Sequence, residues 1–271
     1  MQSTTAPTTT DRSNPLAVMQ RYELKYLLSG QQADALRRRL AGHMEADQFG
    51  KTTIASLYYD TPDRRLVRRS LDKPEFKEKL RLRSYGPATD ESPVFLELKR
   101  KAGGIVYKRR VRCTLPAAEA FLAGAPAPDA DSQIGRELAA FRDRYGALEP
   151  ACLILYDRTA YFEPGGDLRL TIDEAPRYRV TDPSVTDFGG TQRLLDPGSA
   201  VLELKVQGAM PLWLARTLSE EGIRKTSFSK YGEAYRREFA KAHAAPTPRE
   251  RKIASCLNPY IPRPLPLPSF S

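Results

Sequence analysis

Segment after segment of this chain alternates charged and apolar residues with a period of two. The stretch KEKLRLRSYG at 77–86 sets Lys77, Lys79, Arg81 and Arg83 at every second position. In a strand all four stand on one face. Like charges two apart repel, so such a row calls for an anionic partner or a very wet surface.

The same rule sorts the other segments. Arg21, Glu23 and Lys25 share a face, as do Glu97, Lys99 and Lys101; Lys108, Arg110 and Arg112; Tyr156 and Arg158; Arg169, Thr171 and Asp173; and Glu203 with Lys205. Opposite them stand Tyr22, Leu24 and Tyr26; Leu80 and Leu82; Leu96 and Leu98; Leu168, Leu170 and Ile172; and Leu202, Leu204 and Val206. For one strand alone, this pattern means a sheet with one face on a core and one in water. Across the set, cations recur where a solvated face usually mixes signs with neutral polar residues. The alternative is a closed sheet with its charged face inward, and about eight strands suffice to enclose side chains or one extended ligand. Buried Arg and Lys each cost several kcal/mol without a counter-ion, and a phosphate chain would supply it.

Strand-like segments cover 21–28, 54–60, 77–86, 94–101, 105–115, 152–162, 167–175, 178–180 and 200–207, mostly joined by turn sequences, which predicts an antiparallel meander. Helical patterns run from Ser29, a cap with Gln32 three residues on, to Met44; from Thr61 and Pro62; from about Ser132 to Tyr145; from Pro211 to Gly222; and after a cap at Ser229. The fold class expected is α+β: a closed eight-stranded antiparallel barrel with a charged interior and helices packed outside. Residues 1–17, rich in Thr, Ser and Pro, and 243–271, Pro-rich and basic, read as tails around one domain at 18–242.

Composition narrows the chemistry. Of 271 residues, 43 are Lys or Arg and 33 Asp or Glu, a net charge of +10, which favours anionic partners. Only His43 and His243 are present, leaving little for histidine-rich zinc sites or a Ser-His-Asp triad. Cys113, Cys152 and Cys256 are odd in number and lack CxxC spacing, which fits a reducing compartment. No apolar run nears the roughly 18 residues of a membrane span and the N-terminus lacks a signal pattern, so a cytoplasmic protein is expected. No GxxxxGK[ST] phosphate loop occurs. A nucleic-acid binder would use aromatics beside the basic residues, for which Tyr85, Tyr107 and Tyr156 are the candidates.

In order along the chain, RYELKYLL, SLYYDTPD, KLRLRSYG, VFLELKRK, YDRTAYF, LRLTIDE, VLELK and FSKYGEAY resemble the VTC domain. That is the polyphosphate polymerase domain of vacuolar transporter chaperone proteins, within the triphosphate tunnel, or CYTH, superfamily. The resemblance covers roughly residues 18–242. It implies an eight-stranded tunnel that binds ATP, Mn²⁺ or Mg²⁺ and polyphosphate, and extends the chain with the γ-phosphoryl group of ATP. By resemblance Lys25, Lys99, Lys108, Tyr156, Arg158, Arg169 and Ser229 hold phosphates. Arg81, Arg83 and Lys230 act on the transferring group, and Glu203 binds the metal. The superfamily's first-strand ExExK is incomplete, since Arg21 stands where the first Glu would be, leaving Glu23 and Lys25. This departure fits the polymerase branch better than a triphosphatase. Inorganic or nucleoside triphosphate hydrolysis, and plain polyanion binding, stay open as alternatives, as does a membrane-protein partner that moves the product.

Overall fold

In a computed structural model, which describes residues 21–103 and 105–243, the alternating segments all become strands. In chain order the elements are β1 (Arg21–Leu28), α1 (Gly30–Leu40), β2 (Glu45–Ala46), β3 (Thr52–Asp60), α2 (Arg65–Leu71), β4 (Lys77–Tyr85), β5 (Val94–Ala102), β6 (Ile105–Cys113), α3 (Leu115–Leu122), α4 (Gln133–Tyr145), β7 (Glu149–Phe162), β8 (Arg169–Arg179), β9 (Gln192–Arg193), β10 (Ala200–Gln207), α5 (Leu212–Glu220), β11 (Lys225–Thr226) and α6 (Lys230–His243). The expected tails lie largely outside the described residues, as do Cys256 and the terminal proline run. Cys113 and Cys152 are free thiols.

The fold is α+β, but the sheet is not a closed eight-stranded barrel. Its strands follow one hydrogen-bonded path, β11-β1-β10-β8-β7-β3-β4-β5-β6, with β2 paired to β7 and β9 to β8. The physical reason lies at the two ends. The outer edge of β1 is taken by the two-residue β11, through Lys25 with Thr226 and Tyr26 with Lys225, while residues 105–108 of β6 are exposed. Nor is the sheet a simple meander, because β1 pairs with β10 and β3 with β7, joining two meanders across the chain. It nevertheless curls: Lys99 Nζ of β5 stands 3.5 Å from the Glu23 carboxylate of β1, although five strands separate them on the path. The curl turns the charged face inward, into a channel.

Two apolar clusters cover the convex side. Leu36 and Leu40 of α1 and Leu214 and Leu218 of α5 bury Tyr26, Leu170, Ile172, Leu202 and Leu204. Phe121 of α3 and Leu138 and Phe141 of α4 bury Leu57, Leu80, Leu82, Leu96 and Leu98. At roughly 25 cal/mol per Å² of apolar surface, these leucine faces are the main source of stability. Ser29 caps α1 in a capping box with Gln32, as expected. The start expected at Thr61 moves to Arg65, because the buried Asp60 carboxylate accepts the N–H groups of Leu66 and Val67. The α3 helix was not expected. Its signal is Thr114, whose hydroxyl accepts from Ala117 N, followed by Pro116 in the first turn.

One helix corrects the placing of all helices outside. Tyr231 and Ala234 of α6 pack on Ile54, Cys152, Ile154, Tyr156 and Tyr178, which belong to the concave face. Tyr58 stacks on Tyr231, with ring centres 4.7 Å apart, and Tyr231 donates to Asp60 at 2.8 Å. So α6 floors the channel, with its first turn pointing into it. Gly232 makes the close approach to α2 feasible: a Cβ there would lie 2.9 Å from Leu71 Cδ2 and 3.2 Å from Ser229 Oγ.

Candidate active site

Cross-strand register sets the concave face as a series of rungs. Arg110, Glu97, Arg81 and Tyr58 form one, and Lys108, Lys99 and Lys79 the next. The β6 register thus puts Lys108 on the charged face, as expected. Around the other wall, Arg158 pairs with Asp173, and Thr171 with Glu203, which in turn pairs with Lys25.

Two carboxylate-centred clusters result. In the first, Glu97 is almost fully buried, with Arg81 Nη2 at 2.6 Å, Lys108 Nζ at 2.9 Å, Arg110 Nε at 3.3 Å and Arg83 Nε at 3.6 Å. Burial alone would raise its pKa, but Arg81, Arg83 and Lys108 overcome that and bring it down to about 2. Arg81 also donates to the Tyr58 hydroxyl at 3.1 Å. Against the opposing effect of burial, Arg81 and Lys79 lower the Tyr58 phenol to about 8. Lys79, desolvated and beside other lysines, falls to about 8 as well.

In the second cluster, Asp173 is fully buried and receives Arg158 at 2.6 and 2.8 Å and Lys230 at 2.5 Å. Glu203 lies 3.0 Å from Lys25 and 3.5 Å from Arg158. Burial would raise Glu203, yet Lys25, Lys230 and Arg158 hold it well below the usual carboxylate range. Lys25, also 3.4 Å from Glu23, is raised despite its own desolvation because these two carboxylates favour its charge. Tyr156 joins the clusters: Arg83 donates to its hydroxyl at 3.4 Å, and Lys230 Nζ sits 4.3 Å from its ring centre. Ser229 Oγ accepts from Gly232 N, capping α6, and from Lys79 Nζ at 3.1 Å.

Of the residues singled out in the sequence, Lys25, Arg81, Arg83, Lys99, Lys108, Tyr156, Arg158, Glu203, Ser229 and Lys230 therefore line one channel. Arg169 stands apart. It is exposed at the rim and bonded to the carbonyls of Gly166 and Leu168. Sequence reasoning considered Glu97 only as a metal ligand in reserve beside Glu23, and did not single out Asp173 or Tyr58 for the site. Their signal was present in the alternation, which placed Glu97 and Asp173 on the charged face. Of the tyrosines considered for base stacking, Tyr85 and Tyr107 are exposed while Tyr156 is buried in the channel wall.

Three donor groups of this face are buried without a hydrogen bond: Ser56 Oγ, Arg83 Nε and Thr171 Oγ1. Each can donate to an oxyanion. Among the described residues no three carboxylate, histidine or cysteine side chains gather into a metal cage. Glu203 and Glu23, bridged by Lys25, are hard oxygen donors that fit a divalent cation when phosphate oxygens complete its shell. Among the described residues no helix is long and apolar enough to cross a membrane.

A curled antiparallel sheet with a cationic channel, floored by a helix that delivers Ser and Lys, is a tunnel-like architecture. The chain belongs to the VTC domain family, whose model matches residues 20–239. No curated protein matches it. Similar solved structures include a candidate adenylate cyclase from Bacillus halodurans, at 15% identity, 76% of this chain, 92% of that chain and a TM-score of 0.49. Another is a candidate adenylyl cyclase from Hippeastrum, described with a dominant triphosphatase activity, at 19% identity, 77% and 92% coverage and a TM-score of 0.46.

Proposed function

We propose that this chain is a polyphosphate polymerase that moves the γ-phosphoryl group of ATP onto the end of a phosphate chain. A terminal oxygen of the acceptor attacks the γ-phosphorus, the bond to the β-phosphate oxygen breaks, and ADP leaves. The observation that carries the reading is the surplus of cations around Glu97: Arg81, Arg83, Lys108 and Arg110 face one carboxylate inside a channel. Family membership supports the same chemistry.

Phosphoryl transfer asks mainly for alignment and charge neutralisation. Arg81 and Arg83 bind the transferring group, with planar donors suited to two phosphate oxygens. Lys230 reaches the same group from α6. Lys25, Lys99, Lys108, Tyr156, Arg158 and Ser229 hold the neighbouring phosphates, with Arg169 at the rim. Glu203, with Glu23 beside it, would hold Mn²⁺ or Mg²⁺, which would offset the charge of the phosphates. Substrate would displace the carboxylate partners of these cations, so Glu97 and Asp173 act as stand-ins that keep the cations ordered between turnovers. The opposed faces of β1 and β5 serve as walls of a triphosphate tunnel, in a protein that works in the cytoplasm.

The test is to incubate purified protein with γ-labelled ATP and Mn²⁺ and separate long chains from free phosphate. Labelled long chains are expected. Labelled orthophosphate alone would make the protein a hydrolase, and untouched ATP an inert binder.

A further inference from the structure

Lys79 of β4 differs from the other lysines around the reacting end of the channel. Lys25, Lys108 and Lys230 each hold a carboxylate, that of Glu203, Glu97 and Asp173 in turn, and an ammonium paired in this way keeps its proton. Among the described residues Lys79 has no carboxylate within ion-pair distance; its Nζ lies 3.1 Å from the Ser229 hydroxyl instead. Burial disfavours its charged form most, and Lys77, Lys25 and Lys99 add to that against the opposing pull of Tyr58, which brings the group to about 8. Lys79 can therefore stand beside Ser229 as a neutral amine.

Ser229 itself is poised to react. It is half-buried, one residue ahead of Lys230 at the start of α6, and its Oγ accepts from Gly232 N at 3.2 Å, which fixes the side chain over the first turn. Among the described residues its own O–H donates to no carbonyl or carboxylate, so the lone pair of Lys79 is the acceptor at hand. The channel's other hydroxyls lack such a base. Ser56 Oγ and Thr171 Oγ1 are buried with no hydrogen-bond partner, and the Tyr58 hydroxyl is held by Arg81, a group that cannot take up a proton.

We infer that Ser229 is a self-phosphorylation site: when no chain end stands in the channel, its hydroxyl accepts the γ-phosphoryl group of the bound nucleoside triphosphate and gives its proton to Lys79. Ser229 Oγ forms a bond to the γ-phosphorus while the bond from that phosphorus to the β–γ bridging oxygen breaks. ADP departs with that electron pair, and the hydroxyl proton passes to Lys79 Nζ. The product is a phosphoserine ester. Its negative charge is met by the N–H groups at the start of α6 and by the newly formed Lys79 ammonium, so the arrangement that prepares the nucleophile also stabilises what it becomes.

The self-phosphorylation site rests on the phosphate-transfer reading of the channel, and the experiment separates the two. Phosphatase-treated wild-type protein is incubated with ATP and Mn²⁺ and no polyphosphate, then denatured, weighed intact and mapped by fragmentation. It should gain the mass of one phosphoryl group as an acid-stable ester on Ser229, and Ser229→Ala should gain none at that position. Lys79→Arg keeps the charge but cannot take the proton, so the rate of phosphate gain at Ser229 should fall by about 10²-fold, beyond any fall in ATP affinity measured by isothermal titration. Phosphate on Tyr58, Thr171 or a lysine in place of Ser229, or an unmodified protein that still makes long chains from ATP, would overturn the acceptor while leaving the channel reading intact. Wild-type rates of phosphate gain in Lys79→Arg would overturn the role of Lys79. Protein that neither binds ATP nor gains phosphate would overturn both the site and the channel reading.

Discussion

Glu78 and Glu97 lie on adjacent strands, both nearly sealed from solvent and both among arginines, yet they face opposite sides of the sheet. On the convex side, Glu78 accepts from Arg100 at 2.5 Å, Tyr145 at 2.9 Å and Arg144 at 3.3 Å. Glu137 of α4 shares Arg100 and takes Arg109, so acids and bases there nearly balance. On the concave side four cations crowd one carboxylate. A balanced buried network ties a helix to a sheet; a network with surplus charge facing a channel is incomplete without an anion. Charge balance, more than burial, separates scaffold from site.

The largest effect should come from the scaffold side. Glu78→Leu takes from Arg100 one of its two carboxylate partners and leaves the Tyr145 hydroxyl without its acceptor, and breaking such a buried network costs about 3 kcal/mol. Chemical denaturation should show that loss, with turnover per folded molecule unchanged. A variant as stable as wild type would erase the contrast.

On the site side, Arg81→Leu should cut turnover by about 10² to 10³, the usual cost of one aligned charge donor. Its ligand-free melting temperature should hold or rise, because Arg83, Lys108 and Arg110 still neutralise Glu97. Leu82→Arg is the control on the same strand. Leu82 is fully buried against the convex core, so an unpaired charge there should unfold or aggregate the protein. Normal turnover in Arg81→Leu would remove this strand from the site.

Glu203→Gln sharpens the second cluster. An amide keeps the volume but loses the hard anionic donor, so metal-dependent turnover should fall steeply with the fold intact and nucleotide binding partly kept. Full activity would send the metal elsewhere, Glu23 being adjacent.

A smaller effect should appear with pH. Glu97 titrates near 2 in the folded chain against an ordinary 4.5. A depressed value means stability that is complete above about pH 4.5 and lost as pH falls toward 2. Acid unfolding of Glu97→Gln should therefore be less steep in that window than that of wild type; identical slopes would mean the cations do not act on Glu97.

How far these regions were legible in the sequence follows the same division. The period-two pattern assigned Arg81, Arg83, Lys99, Arg158 and Glu203 to one face because register fixes faces, and the Ser caps at 29, 132 and 229 marked helix starts. Glu78 was invisible as a buried group: it falls between two lysines, and its partners come from β5 and α4, distant in sequence. The placing of α6 inside the channel hinges on Tyr58, Tyr156 and Tyr231 meeting, which no local pattern records. Nor could alternation say whether β1 and β6 would pair, since that depends on what occupies the two edges.

The most direct test of the surplus-charge account is the melting temperature of the wild-type protein with inorganic triphosphate, against the same protein with duplex DNA of equal total charge. A channel filled by cations admits a thin phosphate chain and excludes a duplex, so triphosphate should raise the melting temperature and DNA should not. Equal stabilisation by DNA, or none by triphosphate, would contradict the account.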